Sequence, residues 1–195
     1  MNKVMVRAPV RADLAGGTLD LWPLYLFHPG ARTVNVAISY YAESEVAETG
    51  DSGIEIHLTD QQYEQRYESL HEIAADPKAA LVHRVLEHFH LNGIRITTRT
   101  DAPRGSGLGG SSALTITLVR ALSELAGNPI DGEDLIALVR DLLQMLPQAF
   151  GGGNFSQDVR SVRRGHAHRQ PLPVLSHRKR RFCQLHLLLV VDRQL

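Results

Sequence analysis

Residues 101–112 read Asp-Ala-Pro-Arg-Gly-Ser-Gly-Leu-Gly-Gly-Ser-Ser, and no other segment constrains the fold of this chain as strongly. Glycines at 105, 107, 109 and 110 disfavour regular structure before the helix and mark a tight, side-chain-poor loop. Residues 94–100 before it alternate as a half-buried strand should, and an apolar helical run follows it to about Ala126. A strand–glycine loop–helix unit brings backbone N–H groups close to an anion, and the positive end of the helix dipole adds to them. Ser111 and Ser112 stand where hydroxyls can reach phosphate oxygens or a metal ion. A flexible linker, or glycines used for close helix–sheet packing, would have similar composition. The placement between a strand and a helix favours the phosphate loop.

Two familiar phosphate loops do not fit. A Walker A loop needs Gly-Lys-Ser/Thr, and no lysine occurs between Lys78 and Lys179. Gly105, Gly107 and Gly110 satisfy the spacing G-x-G-x-x-G, but the dinucleotide fingerprint follows its strand at once and needs an acid about 20 residues on, at a second strand. Here residues 101–104 intervene, and Glu124 falls inside the predicted helix.

Elsewhere the pattern predicts a short opening strand over 4–8, closed by Pro9, and a loop over 11–18. Two β-rich runs follow at 33–41 and 43–48, then a strand carrying Ile54, Ile56 and Leu58. Residues 61–75 are polar with sparse apolar positions. Apolar positions 81, 82, 85, 86 and 89 give a helix started by Asp76-Pro77, and a further helix over 131–145 is capped by Asp131. After a triple glycine at 151–153, regular pattern is weak until the apolar run 185–191. Strands come first and helices later without βαβ alternation, so the expected class is α+β.

Charge divides the chain. Residues 151–195 hold nine Lys and Arg against two acids, Asp158 and Asp192, although the whole chain balances at 21 and 21. Such a basic segment fits phosphate backbones, but Phe155 and Phe182 are its only aromatics, which disfavours base stacking, so a nucleic-acid partner is not the leading expectation. The single cysteine, Cys183, fits a reducing, cytoplasmic setting. No apolar run nears the roughly 20 residues of a membrane span, and no membrane partner is expected. Among ten histidines, His83, His88 and His90 share a predicted helix but not one face of it.

The loop residues Pro103, Gly105, Ser106, Gly107, Leu108, Gly109, Gly110, Ser111, Ser112 and Ala113 resemble the ATP-binding motif of the GHMP kinases, the galactokinase, homoserine, mevalonate and phosphomevalonate kinase group. Residues 9–20, Pro-Val-Arg-Ala-Asp-Leu-Ala-Gly-Gly-Thr-Leu-Asp, resemble that family's first motif, in the form most like its heptose-phosphate and fucose kinases. The resemblance implies a ribosomal-protein-like α+β domain over 1–150, with 151–195 a basic, degraded or truncated continuation. It implies an ATP-dependent kinase with Mg²⁺, phosphorylating a hydroxyl of a sugar or sugar phosphate, the anomeric one. Arg11 would then offset charge at the transferred phosphoryl group. Asp13, Gly16, Gly17, Thr18 and Asp20 would bind the sugar, and Ser112 would be a ligand of the metal. Asp158, in Asn154-Phe-Ser-Gln-Asp158, matches the catalytic acid.

Two departures accompany the resemblance. The family's metal-binding glutamate has no counterpart over 142–150, where Asp141 is the nearest acid. The ferredoxin-like C-terminal domain is also missing, so a truncated or frame-altered kinase is expected, with the apolar run 185–191 left without its strand partners.

Overall fold

Small and β-branched residues at every second position build the sheet on which everything else rests. The computed structural model describes residues 2–16, 27–28, 32, 34–144 and 190–194, all in one compact unit. In β1 (Lys3–Ala15) Val4, Val6, Ala8 and Val10 are buried, while Met5 and Arg7 between them are exposed. β2 (Val34–Glu48) buries Ala42, Ser44 and Val46; β3 (Ile54–Leu58) and β5 (Ile94–Thr100) bury Ile54, Ile56, Ile94 and Ile96. Each such isoleucine contributes about 1.5–3 kcal/mol through burial. With β4 (Tyr63–Tyr67) and β6 (Val190–Gln194) the sheet has the order β4-β3-β5-β2-β1-β6 among the described residues. All pairings are antiparallel except β3 with β5.

One face of this sheet carries the helices and the other carries charge, as a one-sided sheet allows. On the open face Arg7 pairs with Glu43 across the strands at 3.0 Å, Lys3 with Glu45 at 2.9 Å, and Arg95 with Glu55 at 2.5 Å. On the covered face lie α1 (Leu70–Ala74), α2 (Ala80–Phe89), α3 (Gly110–Leu125) and α4 (Gly132–Gln144). α3 is apolar nearly all round and is the central helix, against β1 and β2 and beside α2 and α4. Its buried threonines bond the helix's own carbonyls. Thr115 donates to the Ser111 carbonyl at 2.7 Å and Thr117 to that of Leu114 at 2.9 Å. The Thr117 hydroxyl also meets the Ser44 hydroxyl at 2.8 Å, tying helix to sheet. Arg120, bonded to Glu124 and to the Ile130 carbonyl at 2.9 Å, fastens the turn into α4.

Several expectations change in the folded chain. β1 does not stop at Pro9. It continues to Ala15 because Pro9 lies beyond the part of β1 that pairs with β6, and a register shift against β2 follows it, so the missing N–H disrupts little. The two runs expected over 33–48 form one strand. The polar stretch 61–75 holds β4 and α1, which alternation and helical period did not reveal. Of the run 185–191, residues 185–189 lie outside the described residues; Val190–Gln194 pairs with the first five residues of β1, whose edge would otherwise present open N–H and carbonyl groups. The α+β class stands, with one parallel pair, β3 and β5, joined through β4, α1 and α2.

The β4 edge is closed by a hydroxyl–carboxylate cluster. Asp76 caps the turn before α2 by accepting from the Lys78 N–H at 2.8 Å. Its other oxygen lies within hydrogen-bond reach of the hydroxyls of Tyr67, at 2.9 Å, and Tyr63, which are also within reach of each other, and their two protons make two of these three bonds at a time. The Tyr63 hydroxyl, then the Lys78 N–H and the Tyr67 hydroxyl, hold the Asp76 carboxyl below the usual carboxylate range. Burial, then hydrogen bonding within the cluster, pushes both phenols up. A depressed carboxylate stabilises the fold above its unfolded pKa and loses that effect as pH falls; a raised phenol stabilises below its unfolded pKa and loses it as pH rises. Urea midpoints against pH should therefore fall below about pH 4 and above about pH 10. Asp76→Asn should make the acid limb shallower, and Tyr67→Phe the alkaline limb.

Candidate functional site

The connection from β5 to α3 is a loop whose shape is set by three left-handed glycines. Gly105, Gly107 and Gly109 have φ of 75°, 72° and 70°, and Ser106 and Leu108 between them do not share that conformation. Alternating φ signs of this kind turn successive N–H groups toward one side, forming a concavity that suits an anion. A Cβ at Gly105 or Gly107 would meet nothing within 4 Å, so these positions require glycine for conformation and not for packing. At Gly110 a Cβ would lie 3.2 Å from the Ala102 Cβ, so there glycine permits the helix to approach the end of β5. Pro103, Gly105, Ser106 and Gly107 are exposed, and the Ser106 N–H closes a turn on the Pro103 carbonyl at 3.1 Å.

α3 begins directly on this concavity. Gly109 is its N-cap and has no side chain to offer the helix, while Ala113 donates to the Gly109 carbonyl at 3.0 Å. The N–H groups of Gly110, Ser111 and Ser112 are those that the helix itself leaves at this end. Ser111 and Ser112 are exposed and Ala113 is buried. Beneath the loop a second apolar cluster of Val10, Ala42, Leu81, Ala102, Ala113 and Leu114 holds it down, with Leu108 packed against it.

Arg11, which precedes the loop by most of the fold, arrives at the same place. Its N–H donates to the Leu108 carbonyl at 3.2 Å, and its side-chain stem passes Gly109. Its guanidinium pairs with Asp13 at 3.2 Å. Gly16, in the left-handed region at φ 75°, follows β1. Gly17, Thr18, Asp20 and Asp158 lie outside the described residues. The structure thus brings Arg11, with Asp13 paired to it, to Leu108 and Gly109 of the loop. Asp141 pairs with its neighbour Arg140 at 3.2 Å, and among the described residues no group of three or more His, Cys, Asp or Glu could hold a metal ion.

Comparison with known proteins agrees with this geometry. Residues 78–156 match the GHMP kinases N terminal domain. That segment, which includes the 103–113 loop, is thus similar to the N-terminal domain of this family. It is 28% identical over 175 residues to a D-glycero-α-D-manno-heptose 7-phosphate kinase of Campylobacter jejuni, covering 80% of this chain and 51% of the relative. To a bifunctional fucokinase/GDP-fucose pyrophosphorylase of Arabidopsis thaliana it is 29% identical over 167 residues, covering 78% and 16%. The crystal structure of a D-glycero-D-manno-heptose 1-phosphate kinase from Bacteroides thetaiotaomicron superposes with a TM-score of 0.67 at 31% identity, covering 77% of this chain and 50% of that one. The chain spans about half the length of the heptose kinases it matches. No helix among the described residues is long and apolar enough to cross a membrane.

Two residues that the motifs did not single out also shape the loop. Asp101 closes β5 against β2: its N–H donates to the Tyr41 carbonyl at 2.9 Å, and its carboxylate accepts from the Tyr41 N–H and from Arg99, each at 3.1 Å. Thr100 accepts from the Ala102 N–H at 3.2 Å. An aspartate at a strand end before Pro is a turn signal, and that was the available clue.

Gly107→Ala should cost about 1–2 kcal/mol through left-handed strain alone. Gly110→Val should cost about 1–3 kcal/mol by crowding Ala102. Urea denaturation of the two variants measures both effects.

Proposed function

We propose that this GHMP domain is the nucleotide-binding part of a kinase that transfers the γ-phosphoryl group of ATP to a hydroxyl, the anomeric one, of a sugar or sugar phosphate. The observation that carries the reading is the convergence of Arg11 with the glycine concavity at the uncapped end of α3. The resemblance to kinases named for heptose phosphates and fucose supports a sugar as acceptor.

Phosphoryl transfer asks the protein chiefly to position groups and to balance charge. The concavity of 105–109 and the N–H groups of Gly110, Ser111 and Ser112 suit phosphate oxygens, because they are donors with no side chain in the way. Pro103 and Ser106 shape the turn, and Leu108 and Ala113 anchor it in the apolar cluster. When bound, ATP supplies the phosphoryl group. Arg11 would balance charge on that group, held in register by its Leu108 bond and oriented by Asp13. Ser112 offers one hydroxyl, and among the described residues no group of three or more His, Cys, Asp or Glu could hold a metal, so Mg²⁺ would arrive with the phosphates, meeting the protein at Ser112. Asp13, Gly16, Gly17, Thr18 and Asp20 are assigned to the sugar, and Asp158 to the proton of its attacking hydroxyl.

Calorimetric titration should show ATP binding that strengthens with Mg²⁺, with Ser112→Ala removing the Mg²⁺ dependence. Gly107→Val should abolish ATP binding. Turnover on a panel of hexoses, heptoses and their phosphates should fall by about 10²–10⁴ in Asp158→Asn. A wild-type chain that binds neither ATP nor tripolyphosphate overturns the proposal.

A further inference from the structure

The last rung between β2 and β5 departs from a regular ladder. Ala42 pairs with Thr100, so the next rung joins Tyr41 to Asp101. In an antiparallel pair the two residues of such a rung exchange both N–H···O bonds between their backbones. Here the Asp101 N–H does donate to the Tyr41 carbonyl, at 2.9 Å, but the Tyr41 N–H donates to the Asp101 carboxylate, at 3.1 Å. The side chain takes the donor that a continued ladder would give to the main-chain carbonyl, and the chain leaves the sheet here, β5 having ended at Thr100. The next N–H, of Ala102, is also met by a side chain, the Thr100 hydroxyl at 3.2 Å.

This exit sets where the phosphate loop begins. Ala102 is buried, and it lies so close to Gly110 that a Cβ there would be 3.2 Å from its own. Ala102 shares its apolar cluster with Ala42, the neighbour of Tyr41, and with Ala113 in the first turn of α3. Tyr41 is itself held, its ring centroid lying 3.7 Å from the Arg7 guanidinium. A shift of Asp101 therefore reaches Ala102, and through it the start of α3 and the loop between them. The other contact of the carboxylate, Arg99 at 3.1 Å, comes from a side chain that is 61% exposed, and such surface pairs contribute little.

Resting on the proposed nucleotide site, we infer that Asp101 is a positioning residue for phosphate binding, which sets the glycine loop and the start of α3 through its carboxylate bond to the Tyr41 N–H. The site requires an acceptor at that point and not a negative charge. Asparagine keeps an acceptor oxygen at the same reach without the charge, whereas glutamate keeps the charge and moves it by one methylene.

The test is calorimetry on the full 195-residue chain with ATP and inorganic tripolyphosphate, beside amide exchange followed by NMR. Asp101→Ala should weaken both ligands about tenfold, the scale of a lost partner for a partly buried donor. Asp101→Glu should show a similar loss, and Asp101→Asn should stay within about threefold of wild type. Exchange of the Arg11 and Ala113 amides, which bond Leu108 and Gly109, should quicken about tenfold in Asp101→Ala and not in Asp101→Asn. Asp51→Ala is the control. Asp51 accepts from the Thr49 hydroxyl and the Gly53 N–H, each at 3.0 Å, and lies against Gly93 at the other end of β5. Its loss should lower the thermal midpoint and leave ligand affinity unchanged. Wild-type affinity in Asp101→Ala, or an equal loss in Asp51→Ala, overturns the role of Asp101 while the nucleotide site stands. Should Asp101→Ala not fold, the other two variants decide: wild-type affinity in Asp101→Glu with a loss in Asp101→Asn makes the charge the operative feature and overturns the inference. If wild type binds neither ATP nor tripolyphosphate, the nucleotide site falls and the role of Asp101 falls with it.

Discussion

The loop from β5 to α3 keeps its shape because both of its ends are tied to the sheet. At the first end Asp101 exchanges hydrogen bonds with the backbone of Tyr41 on β2. Near the second end the Leu108 carbonyl accepts from Arg11 on β1. Three glycines in the left-handed region would otherwise leave the segment with many conformations, since glycine loses more freedom on ordering than any other residue. The tethers, and the apolar cluster of Ala102 and Ala113 with Leu108 packed on it, offset that entropy.

The remaining architecture serves those tethers. β1 and β2 must hold a fixed register for Arg11 and Tyr41 to face the loop, and that register is set by the buried alternation Val4, Val6, Ala8, Val10 against Ala42, Ser44 and Val46. α3 must lie close to the sheet for its first turn to meet the concavity. Gly110 permits that approach, and the hydroxyl pair of Ser44 and Thr117 fixes where the helix sits along β2. The charged outer face adds its own cross-strand pairs, Lys3 with Glu45 and Arg7 with Glu43.

Legibility in the sequence followed the strength of local pattern. The β5 strand, the start of α3 near 110 and the alternation of Ile54, Ile56 and Leu58 were all readable because period and glycine punctuation agree there. β4 was hidden because an edge strand of Tyr-Glu-Gln-Arg-Tyr buries only Tyr67 fully, and α1 because five residues are too few to show a period. Pro9 was a misleading stop signal, since its cost vanishes where no ladder bond is expected of its N–H. The partner of Val190–Gln194 was invisible for another reason: strand pairing between the two ends of a chain leaves no local trace.

The sequence by itself determined the strand–loop–helix unit, its need for glycine at 105, 107 and 109, and the resemblance of 9–20 and 103–113 to two GHMP kinase motifs. Those are local properties, decided by side-chain size and by which φ values a residue tolerates. Only the tertiary structure decided that Arg11, from the first of these segments, bonds Leu108 in the second, and that Asp101 locks to Tyr41. Such contacts depend on sheet register and on burial beneath the loop, which arise from the cooperative packing of many residues and belong to no single segment of the chain.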